Sequence, residues 1–229
     1  MKRTEGFQPI SQESTPALIA AQLREHISKG TMAPGAQLVE MDIASALGVS
    51  RGPIREAIQR LTQEGLLVSI RNRGVFVAEF GQEDIRDIYE ARTAVEKAAA
   101  GILVSGDHTT AGQELLLKVQ DMEAARLKNN SEAMSEADVA FHERLVEMAA
   151  SPRLSRMHGT LLTETRMCLN RLEGRYLDES VRVAEHQHIA QALKDGKSNQ
   201  LMKLLDAHKD DALARLLTEN PSATSLQTA

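Results

Sequence analysis

Four side chains in the second half of the chain, Asp138, His142, His186 and His208, have the types and spacing of a divalent-metal site. Imidazole nitrogens with one carboxylate suit Zn²⁺, Ni²⁺ or Mn²⁺. Asp138 and His142 stand four residues apart beside the apolar stripe Met134, Ala137, Phe141, Leu145, Met148, so a helix presents both on one face. His186 aligns with Ile189 and Leu193, whereas His188 is rotated from it by about 200° and faces outward. His208 sits inside the row Leu201, Leu205, Ala212, Leu216. Taken singly, each histidine reads as a satisfied core residue, and Asp138–His142 as a helix-surface pair. Together, four inward polar groups from three helices make a set able to hold a divalent metal in a helical bundle. Such a metal could be purely structural, could hold a ligand, or could activate water in a metalloenzyme with a helical catalytic domain. Against the enzyme, no His-Glu-x-x-His pair occurs.

Arg92 interrupts another apolar stripe, Ile85, Ile88, Tyr89, Val95, Ala99, Ile102. A buried cation needs an anion. The partner is either a protein carboxylate or the carboxylate of a bound effector, which a guanidinium holds with two hydrogen bonds.

A second constellation lies nearer the start. From Ser50 onward, Ile54, Ala57, Ile58 and Leu61 form an inward face, while Arg51, Arg55, Gln59 and Thr62 point the other way. Two arginines four residues apart on an exposed helix suit the DNA major groove, where Arg reads guanine or grips phosphate. The helix N-terminus adds unpaired N–H groups near the Ser50 hydroxyl, and Pro53 is tolerated in the first turn. Arg71 and Arg73 would lie along a backbone or minor groove, with Gly74 allowing the tip to turn. One surface Arg means little; the ordered set reads as a nucleic-acid interface.

The elements that position these residues fall into two groups. Residues 15–80 read as a winged helix-turn-helix: a helix over 16–29 capped by Thr15, a short extended piece at 37–40, helices over 42–47 and 51–64 separated by Gly48-Val49-Ser50, then a hairpin of 66–70 and 75–78. Residues 81–219 read as an all-α bundle of six helices, near 83–104, 109–128, 131–149, 152–173, 179–195 and 198–219. Residues 1–14 are expected to be flexible and 220–229 to be a disordered tail. The fold class is mainly α.

Net charge is −5, which alone argues against a nucleic-acid partner. Its distribution reverses that. Residues 1–80 carry nine Lys/Arg against eight Asp/Glu, and residues 51–73 five Arg against two Glu. A single cysteine, Cys168, excludes an intrachain disulfide and fits a reducing, cytoplasmic setting. No apolar run reaches the roughly 20 residues of a membrane span.

The stretch Pro34-Gly35 … Leu38-Val39-Glu40 … Leu47-Gly48-Val49-Ser50-Arg51-Gly52-Pro53-Ile54-Arg55-Glu56-Ala57 … Glu64-Gly65-Leu66 … Asn72-Arg73-Gly74-Val75-Phe76-Val77 resembles the GntR family of bacterial regulators. The later residues Tyr89-Glu90-Ala91-Arg92 … Glu96, Asp138-x-x-x-His142, Glu185-His186 … Ile189 … Gly196 and His208 resemble the FCD effector domain of FadR-type members, in the shorter VanR-like branch. The resemblance implies operator contacts at Ser50, Arg51, Pro53, Arg55 and the wing around Gly74. It implies a metal at Asp138, His142, His186 and His208, with Arg92 beside a small organic-acid effector. The expected protein is thus a homodimeric, metal-containing transcription regulator of the repressor type, matched to a palindromic double-stranded operator.

Overall fold

The computed structural model describes residues 14–169 and 179–217. Of the residues expected to be flexible (1–14), all but Ser14 lie outside them, as do the expected tail (220–229) and the ends of the expected helices 152–173 and 198–219. The described residues divide into two compact units, one ending at Glu79 and the other starting at Phe80.

The first unit contains α1 (Thr15–Ser28), β1 (Gln37–Leu38), α2 (Glu40–Leu47), α3 (Arg51–Gln63), β2 (Leu67–Ile70) and β3 (Gly74–Val77). Ser14, not Thr15, is the N-cap of α1, because Ser14 keeps an extended backbone while Thr15 is already helical; no side chain caps this end. Ile19, Ala20, Leu23 and Ile27 are buried, and α1 packs on α3. Leu18, read as part of that stripe, is 48% exposed. A two-pronged ion pair from Arg24 to Glu64, at 2.7–3.0 Å, ties α1 to the end of α3. Between α2 and α3 the chain turns at Gly48, whose φ of 64° is left-handed and costs glycine little. Val49 N–H then bonds Ala44 O at 3.1 Å and closes the turn. The strands form an antiparallel sheet ordered β1-β3-β2, with Leu38 opposite Val75 and Ser69 opposite Val75 on the other side. The hairpin expected from sequence is therefore the larger part of a three-stranded sheet.

The second unit contains α4 (Gln82–Val104), α5 (His108–Leu127), α6 (Ser131–Glu147), α7 (Pro152–Leu169), α8 (Glu179–Lys194) and α9 (Ser198–Leu217). Local signals start these helices. Asp84 accepts from Gly81 N–H at 2.8 Å, Asp107 from Thr110 N–H at 3.1 Å and Asn130 from Ala133 N–H at 3.0 Å. α4 lies against α7 and α9, α5 against α6 and α8. The main core is aliphatic, with Leu115, Met122, Met134, Phe141, Leu145, Leu193, Leu201 and Leu205 all but fully buried. Each large side chain contributes about 1.5–3 kcal/mol by leaving water. Ile102, assigned to the α4 stripe by its spacing, is 49% exposed, and Leu103 is buried instead. Asp138, His142, His186 and His208 are carried on three helices of this bundle.

Candidate metal centre and nucleic-acid interface

α6 supplies Asp138 and His142 from adjacent turns, α8 supplies His186 and α9 supplies His208. All four are buried, and one potential ligand atom from each lies within 4.8 Å of all the others. His142 Nε2 stands 3.2 Å from His186 Nε2 and 3.3 Å from His208 Nε2, and His186 Nε2 is 3.2 Å from Asp138 Oδ1.

The outer ring nitrogens explain why these three atoms point inward. His186 Nδ1–H donates to the Arg182 carbonyl at 2.8 Å and His208 Nδ1–H to Glu185 Oε2 at 2.9 Å. His142 Nδ1 lies 3.0 Å from Glu96 Oε1. The acceptors at His186 Nδ1 and His208 Nδ1 fix the proton there and leave a lone pair on each Nε2, whereas His142 Nδ1 makes no aligned hydrogen bond despite its contact with Glu96. The Nε2 lone pairs of His186 and His208 thus both face His142 Nε2, at 3.2 and 3.3 Å, the arrangement that a cation placed among them would use.

The ionisation states agree with that arrangement. Burial pushes His142 down to about 4, against the pull of Glu96. Burial, reinforced by His186, lowers His208 too. Burial opposes the charge on Asp138, but Arg182, 3.0 Å away, and His186 hold its carboxyl well below the usual range. Two neutral imidazoles and a carboxylate are the forms that metal ligation requires. The donor set therefore fits a divalent ion.

Arg92 is 2% exposed. Its Nε lies 3.1 Å from Glu96 Oε1, and its guanidinium stands 4.6 Å from the Tyr89 ring centre. Of the two partners open from sequence, the protein carboxylate is present. The same Glu96 oxygen is 3.1 Å from His158 Nε2. Glu96 thus joins Arg92, a buried histidine of α7 and the candidate ligand His142. Burial opposes the Glu96 charge, while His142 and Arg92 hold its carboxyl well below the ordinary value.

In the first unit, Arg51, Arg55 and Gln59 are exposed on α3 over the buried Ile54, Ala57, Ile58 and Leu61. Ser50 is the N-cap, with no side-chain cap bond, and Pro53 is half-buried in the first turn. Arg51 and Arg55 both bind Glu40 Oε2, at 3.0 and 2.9 Å. This contact was hidden in the sequence because α2 starts at Glu40 rather than Asp42, which puts an acid in its first turn. Arg71, Arg73 and Gly74 are exposed where β2 turns into β3. The Arg73 guanidinium lies 5.7 Å from the Phe76 ring centre, and Gln37 Nε2 donates to Arg73 O at 2.9 Å. Gly74 has φ +112°, and a Cβ there would meet Gln37 Nε2 at 2.8 Å, so a side chain would disturb the tip. A cavity of about 420 Å³ lies among α4, α5 and α6, against Leu103, Thr110, Ala111, Arg144 and Met148; no candidate residue lines it.

Two family patterns match the chain: "Bacterial regulatory proteins, gntR family" over residues 17–77 and "FCD domain" over residues 87–211. The chain belongs to the GntR family, in its FCD-bearing branch. The Nta operon transcriptional regulator of Aminobacter aminovorans is 30% identical over 76% of this chain and 81% of its own length. The gluconate operon transcriptional repressor of Bacillus subtilis (strain 168) is 26% identical over 88% of this chain and 85% of its own. A putative GntR transcriptional regulator from Rhodococcus sp. RHA1 superposes with a TM-score of 0.78 at 29% identity, covering 91% of this chain and 100% of that one. This GntR protein is a DNA-binding transcription regulator, not an enzyme.

Sequence reasoning missed the residues that aim the histidines of this regulator. Glu185 precedes His186, Glu96 follows Arg92 by one turn, and Arg182 precedes His186 by one turn. Those intervals were visible, but only the packing of α8 on α9 and α4 on α6 shows which nitrogen each serves. Burial opposes the Glu185 charge, while hydrogen bonds from His208 and Arg215 bring its pKa down to about 2. Glu185→Gln removes that charge and is expected to lower metal affinity about 10–100-fold. Competition with a chromogenic chelator measures it, and wild-type affinity would show that Glu185 does not orient His208.

Proposed function

We propose that this GntR regulator senses a small carboxylic acid at a divalent ion held by Asp138, His142, His186 and His208, with Arg92 as a second anchor for the acid. The observation that carries the reading is the convergence of three imidazole Nε2 atoms and a carboxylate, with the Nδ1 of His186 and of His208 each backed by its own acceptor. A bound divalent ion supplies an open, Lewis-acidic position for a carboxylate. Glu96 links that position to Arg92, so an acid gripping Arg92 alters the hold of Glu96 on His142.

The output is operator binding. Arg51, Arg55 and Gln59, with Ser50 and Pro53 at the helix start, enter the major groove, and Arg71, Arg73 and Gly74 form the wing. The protein acts in the cytoplasm as a homodimer, whose twofold axis matches a palindromic site. It acts as a repressor, as the names of the gluconate operon repressor and of the probable D-xylose utilization operon repressor of Paenarthrobacter nicotinovorans support. Residues 15–80 form the DNA-binding domain and 81–219 the sensing domain.

A thermal-shift screen of small carboxylic acids on metal-loaded and chelator-stripped protein tests the reading. An acid present at about 100 times its Kd stabilises by roughly 2.7 kcal/mol. The expected result is a rise in Tm for particular acids only when metal is present. Stripping that destabilises the protein, with no acid shifting either form, would make the metal purely structural and overturn the sensor.

A further inference from the structure

The Thr165 hydroxyl is buried at 0% exposure and has no hydrogen-bond partner. A threonine inside a helix often returns its hydroxyl to the carbonyl four residues back, as Thr163 does to Gly159 O at 3.0 Å. Thr165, two residues on, does not, and a buried polar group left unpaired calls for a reason.

Its place in the bundle suggests one. On α7, His158, Leu162 and Thr165 lie at intervals of four and three and are all buried, so they form one stripe. On α4, Tyr89, Arg92 and Glu96 form another, and the two helices pack together. His158 Nε2 lies 3.1 Å from Glu96 Oε1, while Asp87 acts on Glu164, so the helices run antiparallel. Moving from His158 to Thr165 on α7 therefore matches moving from Glu96 back to Tyr89 on α4, about 10 Å in each case. That sets Thr165 level with the Tyr89–Arg92 turn. Arg92 Nε is also without an aligned hydrogen bond, despite its 3.1 Å contact with Glu96. Two facing stripes thus each offer a buried polar group whose hydrogen bond is unmade.

We infer that α7 is the second polar wall of the acid site, and that Thr165 hydrogen-bonds a second oxygen of a small carboxylate that also engages Arg92. This rests on the carboxylate-sensing reading and narrows it. The ligand class is a small acid with a hydroxyl or further carboxylate beyond the one at the metal. A hydroxyl can donate to a carboxylate or exchange hydrogen bonds with another hydroxyl, so both oxygen groups fit.

The test compares wild type, Thr165→Val and Thr165→Ser, all metal-loaded, by calorimetric titration with propionate, lactate, butyrate and succinate. Lactate differs from propionate by one hydroxyl, and succinate from butyrate by one carboxylate. Wild type is expected to bind the oxygen-bearing member of at least one pair roughly 5–20-fold more tightly. Thr165→Val should lose that preference and Thr165→Ser should keep it. Metal content should not change, and the ligand-free Tm of Thr165→Val should equal or exceed wild type. Wild-type acid affinity and preference in Thr165→Val would overturn this inference and leave the carboxylate sensor standing. Loss of metal from Thr165→Val would assign Thr165 a structural role and overturn it too. Metal-loaded wild type that binds none of the four acids would overturn both readings.

Discussion

His208→Ala is expected to weaken the candidate metal centre and lower the melting temperature of the regulator. His208 brings one of three inward Nε2 atoms, and it is the candidate ligand that α9 sets beside those of α6 and α8. Changes to residues that merely orient a ligand cost about 10–100-fold in affinity, so deleting the ligand should cost at least about 100-fold. A metal present at 1,000 times its Kd stabilises the fold by about 4.1 kcal/mol, and a 100-fold weaker site forfeits about 2.7 kcal/mol of that. For a domain of this size the loss lowers Tm by roughly 5–10 °C. Competition with a chelator and a melt in the presence of metal read the two effects. After chelation the gap between variant and wild type should narrow, because a missing metal contact no longer separates them. His188, exposed and two residues from His186, is the control, and His188→Ala should retain metal. Wild-type metal affinity in His208→Ala would refute the ligand set.

Arg51→Ala and Arg55→Ala are each expected to weaken specific operator binding by roughly 1–3 kcal/mol where the side chain reads a base. Where it touches only phosphate, the loss is similar on all sequences and the salt slope falls by about one. Both arginines are more than half exposed, so their pairs with Glu40 are worth at most about 1 kcal/mol and DNA can displace them. Hydrogen bonds from Arg55 and then Arg51 lower the Glu40 pKa, so the carboxylate stays charged at neutral pH and repels nearby phosphate. Glu40→Gln should therefore strengthen binding to unrelated DNA and reduce the ratio of specific to non-specific affinity. Fluorescence anisotropy on upstream and scrambled duplexes at two salt concentrations separates these outcomes. Unchanged affinity in both arginine variants would remove them from the interface.

The amino-acid pattern by itself determined much of this. Periodicity marked the inward faces that carry Asp138, His142, His186 and His208, because a helix of 3.6 residues per turn returns a side chain to the same face at fixed intervals. The Gly48 turn and the two-faced α3 were equally local, and so was the hairpin carrying Arg71, Arg73 and Gly74. Contacts between helices were not local. Nothing in the spacing of Glu96 and Glu185 shows that they stand beside His142 and His208, since each contact joins two helices, whereas the Arg182 carbonyl and His186 meet one turn apart on α8. The grip of Glu40 on Arg51 and Arg55 needed α2 to start at Glu40 and to fold against α3. His158 and Thr165 stood on a legible stripe, but their significance depends on Glu96 and Arg92 facing them from α4. Local geometry sets which way a side chain points; only tertiary packing decides which group it meets there, and that meeting fixes the tautomer, the charge and the candidate site.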